Sequence, residues 1–550
     1  MNSGPVRPAF FPEPRRFQPL PGRVETRSLS GMSALRLVAV PGRFRSPAAY
    51  RLMLSPERIE LEIGGEAALP YAWAHLQQWR ACCRDETVPA GILEDAPAFE
   101  RRGFMLDISR CKVPTREGLL RWVRLLAAFR FNELQLYTEH TFAYRHHRTV
   151  WAECSPLTAE DILWLQDLCA AHGITLVPNQ NCFGHFERWI RHPAYRRFAE
   201  SPDGFITPWG ERRSCGSVLK PDENSLALVC GLLDELLPLF TAPRVNIGCD
   251  ETFELGQGAS KARCQREGTA AVYTGFVRRI MDHVAERHGK RPEFWGDILN
   301  NHPEQIQHLP AGVTALEWGY EDGHPFDRHL QNFARSGLDV LVCPGSSSWR
   351  SFGGRTDNMF ANIHQAAASG HRAGAKGLLL TDWGDCGHLQ QEPVTWPALA
   401  WAGLCAWNPQ TATPAAAERW CDREAFNGLI GSTERWLDLG RVSAQCGIHP
   451  ANSSVLFNCF LGKRPAELSD DGLHQAREFL EALSESAAET ESWHQTRLNL
   501  GLSIERGLRR PLHSLRRAKT GHARLWRRSN REGGLAESLS FYPQDEAGAG

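Results

Sequence analysis

Short apolar runs alternate with helix-length amphipathic stretches through the middle of the chain, and this rhythm is its strongest signal. It predicts strands near 103–109, 133–138, 175–180, 244–250, 292–298, 314–320, 339–345 and 377–384. It predicts helices near 115–129, 158–172, 223–240, 268–288, 324–336, 356–373 and 394–407, with the weakest helical pattern between the fifth and sixth strands. Gly173, Gly289, Gly337 and Gly374 each fall between a helical run and the next strand, where a left-handed residue ends a helix. Thr158, with Asp161 three positions on, has the form of a capping box. Eight strands with intervening helices predict an α/β fold, a (β/α)8 TIM barrel over residues 98–408. A doubly wound open sheet would ask instead for a glycine-rich phosphate loop after an early strand, and none is present.

The flanks read differently. Residues 1–97 carry β-like runs at 36–40 and 58–63, a turn at Gly64-Gly65 and a helical stretch from Tyr71 to Cys82. They predict a small N-terminal α+β domain. Residues 409–550 read as a C-terminal, mostly helical region. Its paired arginines, Arg509-Arg510, Arg516-Arg517 and Arg527-Arg528, could form an anion-binding patch, but solvated helix faces balanced by acidic neighbours are the ordinary reading. The small, polar tail after Gly533 is expected to fray.

Composition narrows the function classes. The 550 residues are 42% hydrophobic and 23% charged, with a formal net charge of -1. No global field draws the chain to nucleic acid or an anionic membrane, and no apolar run reaches the roughly 18 residues of a membrane span. The segment from Met1 to Phe17 has no apolar h-region, so the expectation is a cytoplasmic protein without a secretory leader. The 16 cysteines include adjacent Cys82 and Cys83 but no C-x-x-C pair, and read as buried free thiols of a reducing compartment. The glycosylation pattern at Asn452-Ser453-Ser454 is then incidental. His140, His146 and His147 lack a companion ligand cluster, so no metal is expected.

A parallel barrel places function at the C-terminal ends of its strands. These ends carry Asp107 to Arg110, Tyr137 to His140, Asn179 to His185, Asp250-Glu251, Trp295 to Asp297, Glu317 to Tyr320, Ser346 to Trp349 and Asp382 to Asp385. Together they describe a pocket walled by tryptophans and set with carboxylates. That mixture suits a sugar, whose apolar faces stack on indoles while its hydroxyls need fixed donors and acceptors. The adjacent Asp250 and Glu251 sit where the fourth strand should be ending, so both side chains can reach the pocket. Glycosidic cleavage needs an acid for the leaving oxygen and a group that stabilises the oxocarbenium-like centre.

The chain resembles glycoside hydrolase family 20, the β-N-acetylhexosaminidases. Arg102 to Arg110 looks like the family's first strand, and Pro178 to His185 like its third-strand motif. Asn246 to Glu251 looks like its Gly-x-Asp-Glu signature, and Tyr50 to Trp79 is similar to the domain that precedes its barrel. The run from Asp250 to Gly256 and the helical C-terminal region are similar to a divergent, exo-acting bacterial branch. The resemblance implies a retaining exo-hydrolase for glycans ending in N-acetylglucosamine or N-acetylgalactosamine. It implies substrate-assisted catalysis, in which the sugar's acetamido oxygen forms an oxazolinium ion. Glu251 would be general acid and then base. Asp250 would orient the acetamido group, Arg110 would bind two hydroxyls, and Trp295, Trp318 and Trp383 would enclose the sugar. Asp385 would take outer hydroxyls and His185 would support the acid. No cofactor or metal is implied, nor any nucleic acid or membrane partner; a homodimer is compatible with the reading.

Three departures accompany the resemblance. Asn179 and Asn181 stand where acids are usual on the third strand, which would deprive His185 of a charged partner. The second strand ends Tyr137-Thr138-Glu139-His140 where the family usually reads His-x-x-Asp-Asp, and Glu139 can replace that missing acid. Ser346 to Trp349 stand where a tyrosine usually meets the acetamido group, and Tyr320 can substitute for it. The competing readings are a carbohydrate-binding barrel without turnover and a retaining glycosidase for sugars lacking the acetamido group.

Overall fold

A computed structural model describes residues 8–25, 35–40, 42–81, 86–483 and 490–544. Residues 1–7 and the Cys82-Cys83 pair lie outside them. The first sheet holds β1 (Arg16–Glu25), β2 (Leu35–Ala39), β3 (Tyr50–Leu54), β4 (Ile59–Ile63) and β5 (Thr87–Asp95), in the order β1-β5-β3-β4-β2. The helix Leu69–Ala81 packs its Ala72, Leu76 and Trp79 on this sheet. β1 is absent from the sequence reading because Pro19 and Pro21 interrupt its pattern. As an edge strand pairing only with β5, with its register broken between Pro19 and Arg23, it tolerates those missing donors.

The second sheet is the barrel. Its strands are β6 (Arg101–Asp107), β7 (Glu133–Tyr137) and β8 (Thr175–Val177), then β11 (Arg244–Asn246), β12 (Arg291–Trp295), β13 (Thr314–Trp318), β14 (Asp339–Cys343) and β15 (Gly377–Asp382). All neighbours run parallel, in the order β11-β12-β13-β14-β15-β6-β7-β8. The ring closes through a parallel bridge from Asn179 to Asn246. The expected helices form within a few residues, and the Thr158–Asp161 capping box is present. Between the fifth and sixth strands stand only a five-residue helix, Asp297–Asn301, and a 3-10 turn, Pro303–His308. A short hairpin, β9 (Phe205–Ile206) with β10 (Arg212–Arg213), interrupts the third crossover. Two-residue strands leave no readable period.

The two-residue strand period sorts the barrel's side chains. Leu134, Phe294, Val342 and Leu380 face the helices, while Met105, Leu316, Leu341 and Leu379 face the axis. The bottom of the axis is ionic: Arg101 donates twice to Glu133 at 2.9 Å and pairs with Glu293 at 2.7 Å, and Arg244 reaches Glu133 at 2.8 Å. Such a buried network is costly to break on one side.

The C-terminal helices pack on the barrel. Arg531 bonds Asp161 at 2.6 Å, and Arg188 pairs with Glu537. The expectation of a frayed tail fails from Gly534 to Gln544: Leu535–Ser540 is helical and Tyr542 is 1% exposed, because this segment caps the barrel beside Cys111. Arg528 pairs with Glu491 at 2.6 Å and Arg527 with Glu532 at 2.9 Å, a balanced helix surface.

Trp407 joins the N-terminal sheet to the barrel. It is fully buried, donates to Asp95 at 2.9 Å, and lies under the guanidinium groups of Arg102 and Arg130. Trp407→Ala should cost about 3–5 kcal/mol, seen as a lowered midpoint in thermal unfolding; an unchanged melt would show that the two units are not coupled there.

Candidate active site

The site begins where β8 and β11 run on beyond their ladders. Gln180 and Cys182 donate to Asn246 and Ile247 at 3.0 Å each, so the third and fourth strand ends advance together. Gly248, Cys249 and Glu251 have φ of 66°, 73° and 50°, and His185 has 59°. A non-glycine residue in this region is uncommon and marks a held conformation. At Gly248 a Cβ would meet the Asn181 amide at 2.6 Å, so glycine is needed there. The Asn181 Oδ1 accepts from the Cys249 backbone at 3.2 Å. This turn breaks the strand alternation and delivers both Asp250 and Glu251 to the mouth.

Asp250 is 6% exposed. Its Oδ1 accepts from the Asn181 amide at 2.8 Å, and its Oδ2 lies 3.2 Å from His185 Nε2. The same Nε2 is 3.5 Å from Glu251. His185 Nδ1 lies 3.8 Å from Glu139 and 3.4 Å from Arg110 Nη2. The expected loss of a charged partner for His185 therefore does not occur: Asp250, Glu251 and Glu139 all surround it, because the turn brings Asp250 across.

The environment splits the two neighbouring carboxyls. Burial would raise Asp250, but the His185 charge, with hydrogen bonds from His185 and Asn181, holds it below its ordinary value. Burial raises Glu251, and the Asp250 charge adds to this against the opposing pull of His185. His185 is pushed up to about 10, with Asp250 outweighing the burial that would lower it. Asp297 closes the group from below: its Oδ2 accepts from the Glu251 backbone at 3.2 Å, and burial beside Asp250 raises it well above its ordinary value.

Arg110 occupies an acidic and aromatic cage. It pairs with Glu139 at 3.2 Å and Asp107 at 3.3 Å, with Asp385 at 3.9 Å. Its guanidinium lies 4.7 Å from the Tyr137 ring centroid and 5.2 Å from that of Trp383. Only a fifth of the side chain is open, so its planar fork is held in one orientation. Burial and the Arg110 charge act oppositely on Glu139, and burial prevails at about 7.

The aromatic residues fall into two groups. Trp383 and Trp318 keep surface open, at 8% for Trp383, while Trp295 forms a floor at 1%. The indole N–H groups of Trp295 and Trp318 are buried without a protein acceptor, while that of Trp383 is directed at the Tyr320 hydroxyl. Tyr320 stacks on Trp318 at 5.1 Å and 25°. Trp349, at 1% exposure, stands edge-on behind Tyr320 and donates to Asn452 at 2.8 Å, so it supports Tyr320 and has no open face. Ser346 and Ser348 are committed to Asp382. His140, His146 and His147 form no common ligand group among the described residues. Sequence reasoning did not place Asp107, Tyr137, Asn181 or Asp297 around the acid pair; each was legible as a strand-end residue, but its partners come from other strands.

Comparison with known proteins falls on this frame. Residues 99–372 match the glycosyl hydrolase family 20 catalytic domain, and the barrel that they form is a domain of that family. It is 29% identical over 310 residues to human hexosaminidase D and 25% identical over 336 residues to a β-hexosaminidase of Akkermansia muciniphila. Those matches cover 52% and 55% of this chain, and 60% and 64% of the two relatives, less than two thirds of their length. Among solved structures, a β-N-acetylhexosaminidase of Bacteroides fragilis superposes with a TM-score of 0.59 at 17% identity, over 76% of this chain and 95% of its own. A Flavobacterium johnsoniae chitobiase superposes at 0.60 and 16% identity over 96% and 98%. At such identity the likeness is one of fold.

Replacing Asp250 with Asn should release His185 to burial, which lowers it. Its titration, followed by histidine NMR, should fall from about 10 toward or below the ordinary 6.5. A His185 that stays protonated at neutral pH in Asp250→Asn would mean that another acid holds it.

Proposed function

We propose that this chain is a retaining exo-β-N-acetylhexosaminidase that removes terminal β-linked N-acetylglucosamine or N-acetylgalactosamine by substrate-assisted catalysis. The observation that carries the reading is the pair of adjacent carboxyls held in opposite protonation tendencies under one imidazole, Asp250 low and Glu251 high. Two acids whose surroundings push their pKa values apart mark the anion and the proton donor of acid–base chemistry.

In the first step the acetamido oxygen attacks the anomeric carbon while Glu251 gives its proton to the leaving oxygen. The bond to the aglycone breaks and an oxazolinium ion forms. Asp250, anionic against His185 and Asn181, orients the acetamido N–H and offsets the positive charge growing on that group. Glu251, now a carboxylate, takes a proton from water as the water opens the ring with net retention. Arg110 and Asp385 grip hydroxyls at the rim, Trp383 and Trp318 cover the sugar, and Trp295 closes the floor under the acetamido methyl. Tyr320 takes the place of the usual acetamido-binding tyrosine. Burial keeps its hydroxyl protonated, so it can donate. Cytoplasmic residence belongs to the same proposal, supported by thiols that are all free among the described residues.

The test is hydrolysis of aryl glycosides differing at C2. Turnover should be nearly confined to substrates carrying the 2-acetamido group, and a thiazoline mimic of the intermediate should inhibit. Equal rates without the acetamido group would point to a protein nucleophile, and no hydrolysis of any aryl glycoside would leave a binding protein.

Glu251→Gln should lower kcat by about 10²–10⁴-fold on poor leaving groups, and Asp250→Asn should lower kcat strongly while KM moves less. Activity needs Asp250 ionised and Glu251 protonated. The acidic limb of kcat/KM therefore lies below the ordinary aspartate value of 3.8, and the alkaline limb above the ordinary glutamate value of 4.5. Glu251→Gln should abolish the alkaline limb; a limb that persists there belongs to another group.

A further inference from the structure

Glu317 is the penultimate residue of β13. The strand period turns it outward, away from the sugar pocket, while Leu316 and Trp318 turn in. It is 2% exposed, yet two imidazoles converge on one of its oxygens: His324 Nε2 at 2.9 Å and His329 Nδ1 at 2.7 Å. The second oxygen accepts from the Asn300 amide, whose own oxygen lies 3.3 Å from Asn332 Nδ2. The rings cross at 84°, and both histidine side chains are about one-fifth exposed. One nitrogen from each ring and the carboxylate oxygen all lie within 4.8 Å of one another.

Two imidazoles and one carboxylate are a donor set for borderline divalent ions, with a fourth position left for water. Asn300 supplies the outer hydrogen bond that fixes the carboxylate ligand. We propose that Glu317, His324 and His329 bind one divalent transition ion of the zinc class. The ion ties the segment from Gly319 to Pro325 to the barrel wall and to the helix Phe326–Ser336. Its effect reaches the pocket edge through Gly319, where an added Cβ would collide with the His324 ring. Gly319 joins Trp318 to Tyr320, so fixing His324 fixes that stacked pair. Arg328 Nη2 lies 3.2 Å from His329 Nε2. With the ion on Nδ1 that nitrogen carries the proton, and the exposed arginine turns to solvent. The site does not depend on the hydrolase reading, whose chemistry calls for no metal.

A second His-His-carboxylate group provides an internal control. His283 Nε2 and His288 Nε2 each lie 2.8 Å from Asp234 Oδ1, but Asp234 is 42% exposed and no outer partner orders it among the described residues. The experiment is calorimetric titration of the chelator-dialysed full chain with Zn²⁺, joined to zinc-edge anomalous diffraction from soaked crystals. An anomalous peak among Glu317, His324 and His329 is expected, with or without a second peak at Asp234. Binding at this site should be lost in His324→Ala and His329→Gln, weakened about 10–100-fold in Asn300→Ala, and kept in Asp234→Ala. Absence of binding, or binding that disappears in Asp234→Ala with no peak at Glu317, overturns the proposal. Should the histidine variants unfold, the anomalous map of the unaltered chain decides alone.

Discussion

Closure of the barrel between β8 and β11 is the constraint on which the site depends. Neither strand is long: each spans three residues. The seam is carried past them by Gln180, Cys182 and Asn246 backbone bonds and by the Asn181 amide bracing Cys249. The left-handed residues after β11 are tolerable only because this seam over-determines them. Without it, Asp250 and Glu251 would alternate to opposite faces like any strand neighbours, and His185 would lose the close approach of Asp250. Local backbone strain at Cys249 and Glu251 is thus exchanged for two carboxyls in one mouth.

That placement creates an electrostatic problem, and the surrounding groups divide its solution. Asp250, Glu251, Glu139, Asp107, Asp385 and Asp297 crowd a small volume. Arg110 and His185 are the cations set among them, and they neutralise selectively: Arg110 faces Glu139 and Asp107, while His185 faces Asp250. At Asp250 the cation prevails and holds it low, whereas burial outweighs Arg110 at Glu139 and Asp107 and, with repulsion from Asp250, favours the protonated forms of Glu251 and Asp297. A carboxyl that keeps its proton beside one that has lost it is the condition for donating that proton to a leaving group. Substituting asparagine for acids on the third strand fits the same logic. Asn181 supports Asp250 by donating a hydrogen bond, where another carboxylate would have added to the repulsion.

The sixth and seventh strand ends show how one wall is built from parts with different tasks. Ser346 and Ser348 are tied to Asp382, and Trp349 is pinned to Asn452 in the C-terminal region. None of them is free to meet a sugar. Trp349 stands edge-on against Tyr320, which in turn stacks on Trp318, so the C-terminal region, through Asn452, helps to hold that aromatic pair. Asn452, which matches a glycosylation pattern in the sequence, is an acceptor for the Trp349 indole in the fold.

The sequence by itself determined the barrel, because strand and helix periods differ and each βα unit repeats the contrast within a short window. It also determined which residues stand at the strand ends, since position along a strand is a local property. The helix-ending glycines and the Thr158 capping box were readable for the same reason. What only the tertiary structure decided is which strand ends meet. Asn181 holding Asp250, Trp349 standing behind Tyr320, and Glu317 collecting His324 and His329 join residues whose proximity follows from strand twist, turn geometry and packing. The proton preferences of Asp250 and Glu251 belong to that second kind as well, since they arise from burial and from charges brought in by other strands.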